Sequence, residues 1–70
     1  MMPLTMAKVG EENSVKKVGG PPETRQFLET LGFVPGSYIT IITEISGNVI
    51  VSIKESRVAI SREMAAKIMI

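Results

Sequence analysis

Cysteine, histidine, tryptophan and aspartate are all missing from this 70-residue chain, and each absence closes off a class of chemistry. Without cysteine there is no disulfide framework, no thiolate nucleophile and no zinc ribbon, a usage that permits a reducing compartment. Without histidine as well, the commonest general base is gone, leaving Ser, Thr, Lys, Glu and Tyr to carry any reaction. Aromatics are scarce too, only Phe27, Phe33 and Tyr38. Charge of either sign is balanced, 8 Lys+Arg against 7 acidic residues, for a net charge of +1. That is too little for binding nucleic acid or a membrane surface by bulk electrostatics. Long apolar runs are lacking, since the longest aliphatic stretch is Val49-Ile50-Val51, far short of the roughly 20 residues of a spanning helix. The N-terminus Met1-Met2-Pro3-Leu4-Thr5-Met6-Ala7-Lys8 has no signal-peptide core. These features lead us to expect a soluble cytoplasmic chain with no membrane insertion.

What is present is aliphatic and patterned. Hydrophobic residues make up 44% of the chain, and a compact protein of this mass exposes roughly 4,300 Å², so the expectation is one small domain, residues 1–70, with an Ile, Val, Leu and Met core. Thr5 is the expected cap of a turn through Met6-Ala7-Lys8, and Ser14–Val18 reads as one short strand. Gly19-Gly20-Pro21-Pro22 interrupts it. Thr24, Phe27, Leu28 and Leu31 then recur at helical spacing, with Pro22 and Glu23 suited to the first turn. Gly32 fits a left-handed helix stop, which sets Phe33 back against Leu28.

Val34-Pro35-Gly36-Ser37 has the residue order of a type II turn. After it, Tyr38–Ile45 alternates, with Ile39, Ile41 and Ile45 expected on one face and Tyr38, Ile42 and Glu44 on the other. Ser46-Gly47-Asn48 separates it from Val49, Val51 and Ile53, as in a β-hairpin. Glu55-Ser56 is the next connection, Arg57–Ile60 a third strand, and Ser61 the cap of a short helical turn through Ala66. Ile68 and Ile70 close the chain as a final strand. The inventory is about five short strands, one helix and one helical turn, which predicts a mainly β fold, a small barrel with the helix packed on it.

Candidate chemistry is sparse. All seven acidic residues are Glu, at positions 11, 12, 23, 29, 44, 55 and 63, each placed as a solvated side chain would be. Five methionines, Met1, Met2, Met6, Met64 and Met69, offer thioethers suited to Cu(I), but fit gap-filling in a core better. Gly19-Gly20 lacks the residues of a phosphate loop. Tyr38 with Lys54 and Arg57 is thin material for a nucleic-acid platform. The residues therefore point to no enzyme, no cofactor, no metal site and no nucleic acid, and to a binding module that works through its surface.

The run Leu28-Glu29-Thr30-Leu31-Gly32-Phe33-Val34-Pro35-Gly36-Ser37-Tyr38-Ile39 resembles the L-x-x-[ML]-G-[LF]-x-P-G-x-x-[VI] segment of the FeoA family, accessory proteins of bacterial ferrous iron transport. The resemblance extends through Leu4-Thr5, Gly10-Glu11, Gly19-Gly20, Gly47-Asn48, Lys54, Arg57–Ile60, Arg62–Ala65 and Ile68-x-Ile70. Val49, Glu55 and Leu31 depart from it, standing where the family often has Pro, Gly and Met. The resemblance implies an SH3-like barrel, a family label of transition metal ion binding, and a cytoplasmic partner of the ferrous iron transporter FeoB, engaged at its GTP-binding region. On that reading Arg25, Glu29 and Thr30 are the expected polar contacts, and Phe33 and Tyr38 the apolar ones. Two alternatives stand beside it: a module like the C-terminal domain of metal-dependent repressors, and a nucleic-acid-binding barrel. A terminal strand could also pair two copies as a weak homo-oligomer.

Overall fold

The computed structural model describes residues 1–70. A 3₁₀ turn at Leu4–Met6 leads to β1 (Glu12–Ser14), β2 (Lys17–Val18), α1 (Pro22–Thr30), β3 (Tyr38–Ile45), β4 (Asn48–Ile53), β5 (Ser56–Ser61), α2 (Arg62–Ala65) and β6 (Ile68–Met69). The first turn starts directly after Pro3 and not from a Thr5 cap. Proline's fixed φ and extended ψ already aim the chain into it.

Four strands form one antiparallel sheet in the order β1-β3-β4-β5, and β2 pairs with β6 in a second. The strand expected over Ser14–Val18 is therefore two strands, which raises the count to six. Val15 is the crossing point. Its N–H donates to the Ser37 carbonyl (2.8 Å) and its carbonyl accepts from the Gly36 N–H (2.8 Å), whereas the Lys16 N–H donates to the Met69 carbonyl (2.7 Å). One buried valine thus ties the two sheets at a corner. Paired bonds between Met2 and Ile70 hold the chain ends side by side.

The α1 boundaries follow from its residues. Pro22 occupies the first turn with Glu23 beside it, where a missing N–H costs nothing and a carboxylate suits the helix dipole. At the other end Gly32 takes φ +105°. The Phe33 N–H donates to the Leu28 carbonyl (3.0 Å) and the Gly32 N–H to that of Glu29 (2.9 Å), the double closure of a Schellman stop. Leu28 and Phe33 are both fully buried in one cluster with Leu4, Ile39, Ile41, Val49, Val51, Ile53 and Ile68.

Strand β3 departs from simple alternation. Ile41 pairs with Val51 but Thr43 pairs with Ile50, so Ile42 is an extra residue, a β-bulge. A bulge shifts the phase of everything after it. Glu44 consequently falls opposite core-facing Val49 and Ile45 opposite exposed Asn48. Ile45, expected inside, is 57% exposed.

The hairpin turns also differ from their sequence reading. Ile45 pairs with Asn48, leaving Ser46 (φ 49°) and Gly47 (φ 81°) as a two-residue turn. The second connection is Lys54-Glu55 and not Glu55-Ser56, with φ of 48° and 64°. Positive φ at both central residues is what the right-handed twist of a hairpin demands. Ser61 caps α2 as expected, its hydroxyl accepting from the Met64 N–H at 3.1 Å. The total accessible surface, 4317 Å², is that of a compact chain of this mass.

Candidate protein-binding surface

The exposed surface of interest is assembled where α1 ends. Gly32 lacks a Cβ, and one built there would lie 3.4 Å from the Lys54 Cδ and 3.5 Å from the Ile53 Cδ1. The helix stop therefore rests against the end of β4. From it, Val34–Ser37 closes a turn through a Ser37 N–H to Val34 carbonyl bond (3.0 Å), with Gly36 at φ +92°. That turn delivers Tyr38 beside Lys54. Pro35, Gly36, Ser37, Tyr38 and Lys54 line a shallow depression of about 480 Å³.

Tyr38 is 65% exposed and carries cations on both flanks. Lys54 lines the same depression. On the other side Ser14 is its cross-strand neighbour, and the Ser14 hydroxyl accepts from the Lys16 Nζ at 2.6 Å. Ring and ammonium groups arranged this way favour an acidic or carboxylate-rich partner segment, with the phenol as a rigid apolar anchor.

Each residue singled out in the sequence can now be placed. Arg25, Glu29 and Thr30 are exposed on α1, with Glu29 and Thr30 in its last turn near Gly32 and Arg25 nearer its start. The Thr30 hydroxyl turns back to the Phe27 carbonyl. Phe33 is a correction: it is 0% exposed, because the helix stop drives it inward, so it cannot touch a partner. The exposed aromatic on this element is Phe27, at 47%. Its helical spacing with Leu28 suggested burial, yet a nine-residue helix lying over a small barrel buries only Leu28 completely.

No group of three or more His, Cys, Asp or Glu side chains comes together in the structure. Among the methionines, Met64 packs partly against the core, whereas Met1 and Met6 are exposed. A second, smaller depression of about 310 Å³ lies between α1 and α2, lined by Pro21, Thr24, Ser61, Glu63, Met64 and Lys67. The one ion pair, Arg62 to Glu44 at 3.0 Å, lies in a different part of the molecule, beside the Ser46-Gly47 turn.

Six short strands wrapped on one aliphatic core, with a helix stopped by glycine against a strand end, define a small SH3-like β-barrel. Comparison with known proteins identifies its family: residues 2–70 match the FeoA domain, and the chain belongs to the FeoA family. A Methanocaldococcus jannaschii protein provisionally named Fe(2+) transport protein A is 43% identical over 70 residues, spanning all of this chain and 85% of its own. A crystal structure of the iron uptake regulatory protein FeoA superposes with TM-score 0.87 at 31% identity, over 97% of this chain and 90% of that one. Stenotrophomonas maltophilia FeoA complexed with zinc, described as a prokaryotic SH3 domain protein, superposes at TM-score 0.85 with 19% identity, over 99% and 88%. The fold recurs at TM-score 0.84 and 19% identity in a manganese-dependent transcriptional repressor, over 94% of this chain and 38% of that one.

Proposed function

We propose that this chain is a cytoplasmic accessory protein of Fe(II) uptake that works by binding a membrane ferrous iron transporter of the FeoB type, at its cytosolic GTP-binding region. The observation that carries the reading is the 43% identity, across the whole chain, with a protein named for Fe(2+) transport. The surface supports it. An exposed tyrosine beside a lysine, next to the glycine-stopped end of a helix, is the kind of small aromatic anchor around which protein interfaces concentrate their energy.

The proposed contacts are Tyr38 and Lys54 at the depression, and on α1 the exposed Phe27, in place of Phe33, with Arg25, Glu29 and Thr30. Such a role requires complementary surface and no reaction by the chain itself. The test is titration calorimetry of the purified chain against the cytosolic region of the FeoB from the same organism, with and without a GTP analogue. Saturable binding that Tyr38→Ala with Arg25→Glu weakens at least about tenfold supports the reading. Absence of binding in both nucleotide states overturns it.

A further inference from the structure

The outer face of the four-stranded sheet carries Glu12 and Arg57 at its edges and uncharged side chains between them. Strand pairing sets Glu12, Thr40, Ser52 and Arg57 on one rung from edge to edge. The next rung is Thr43, Ile50 and Ala59, with Ile42 added by the bulge. Because Ile39, Ile41, Val49, Val51, Ile53 and Ile60 face the core, alternation puts all of these rung residues on the opposite, outward side. Ile42 and Ile50 are half-exposed, and Ile45 follows at the far end of β3.

Glu12 and Arg57 are exposed and lie at opposite edges of this face, three strand spacings apart, or about 14 Å. The charge pattern is self-complementary. A two-fold axis parallel to the strands, passing over the β3–β4 seam, exchanges the two edges. It brings each Glu12 to the Arg57 of the other copy and stacks Ile50 against Thr43 and Ile42 across the seam.

We propose that this outer sheet face is a self-association surface on which a second copy packs about that axis, held by two reciprocal Glu12–Arg57 pairs around Ile42, Ile50 and the small residues beside them. Aligned face-to-face packing of twisted sheets is the geometry such a contact takes. Six residues from each of three strands and the three of β1, at spacings of about 4.8 Å, give a face of about 330 Å² per copy. That falls below the roughly 600 Å² per partner of the smallest stable interfaces, so the contact belongs to the weak, transient class. By the same alternation Tyr38 lies on this face one rung beyond Thr40, so the face borders the helix-end depression, but the proposal does not rest on the transporter reading.

The test is sedimentation equilibrium from about 20 µM to about 2 mM, the range in which weak self-association registers, on the full chain and on Glu12→Lys and Arg57→Glu. Both substitutions are at exposed positions, and thermal unfolding of each variant verifies that it is folded. Each variant alone sets like charges together at both contacts and is expected to associate at least about fivefold more weakly than the parent. An equimolar mixture of the two variants restores opposite charges at both contacts and is expected to recover parental association. Ile50→Lys, in the centre of the face, is expected to abolish it. A parent that stays monomeric throughout, single reversals without effect, or a mixture no tighter than its components each overturns the proposal.

Discussion

The two faces of the four-stranded sheet both carry isoleucine, and the same side chain does different work on each. Inside, Ile39, Ile41, Val49, Val51, Ile53 and Ile60 are almost wholly removed from water; outside, Ile42 and Ile50 keep part of their surface and Ile45 most of it. Side-chain chemistry does not separate the two sets. Position in the pleat separates them, and the Ile42 bulge decides that position for everything that follows in β3. An apolar residue is therefore worth several kcal/mol on one face and little on the other, since burial and packing, not residue type, set its contribution.

The largest effect expected is at the residue that joins helix to core. Phe33→Ala should lower unfolding free energy by about 3–5 kcal/mol, the usual cost of deleting a buried aromatic, measured by chemical denaturation. That is a large share of what a domain this small commands. Next comes the direct contrast between faces. Ile53→Ala should cost about 2–4 kcal/mol and Ile45→Ala less than about 0.5. Equal costs at the two positions would erase the distinction drawn here.

Smaller changes test how the sheet is presented. Ser61→Ala removes the hydroxyl that accepts the Met64 N–H where β5 ends, and should cost about 1 kcal/mol. Glu55→Gly should stabilise by up to about 1 kcal/mol, because Glu55 sits at φ 64°, a region in which side chains other than glycine are strained; the melting temperature reads this gain directly. The Glu44–Arg62 pair is half-exposed. Glu44→Gln should change stability by less than about 0.5 kcal/mol, and less again at high salt.

Much of this arrangement was legible in the residues. Pro22, Gly32 and Pro35-Gly36 favour backbone conformations that few other residues adopt, and Ser61 caps through its hydroxyl, so the helix, its stop, the turn and the second cap fall where they are expected, with the first hairpin turn one residue shorter. The barrel followed from counting those pieces, and the family from their order. What was not legible has one physical source, that three-dimensional neighbours override local pattern. Nothing in Ile41-Ile42-Thr43 marks a bulge, so Ile45 was assigned to the wrong face. Val15 looks like the middle of a strand, and only the separate partners of Ser14 and Lys17 reveal a corner there. Phe27 and Phe33 were both plausible as core, and their exposure depends on how a short helix tilts over a small barrel.

The candidate surface shows the same division. Tyr38, Arg25, Glu29 and Thr30 are exposed as their positions suggested. Lys54 could not be joined to them from sequence, since it lies sixteen residues beyond Tyr38 and meets it only through the β3–β4 pairing. Phe33 belongs to the core, and Phe27 is the exposed aromatic of α1.

The most direct test of the central claim is to follow the backbone amide resonances of the isotopically labelled chain as the unlabelled cytosolic region of its FeoB-type transporter is added. We predict shifts concentrated at Glu29–Thr30, Pro35-flanking residues, Tyr38 and Lys54, with Phe33→Ala excluded as a contact variant because it acts on folding. A spectrum that does not change, or changes confined to the outer sheet face around Ile50 and Ala59, would contradict the assignment of this surface.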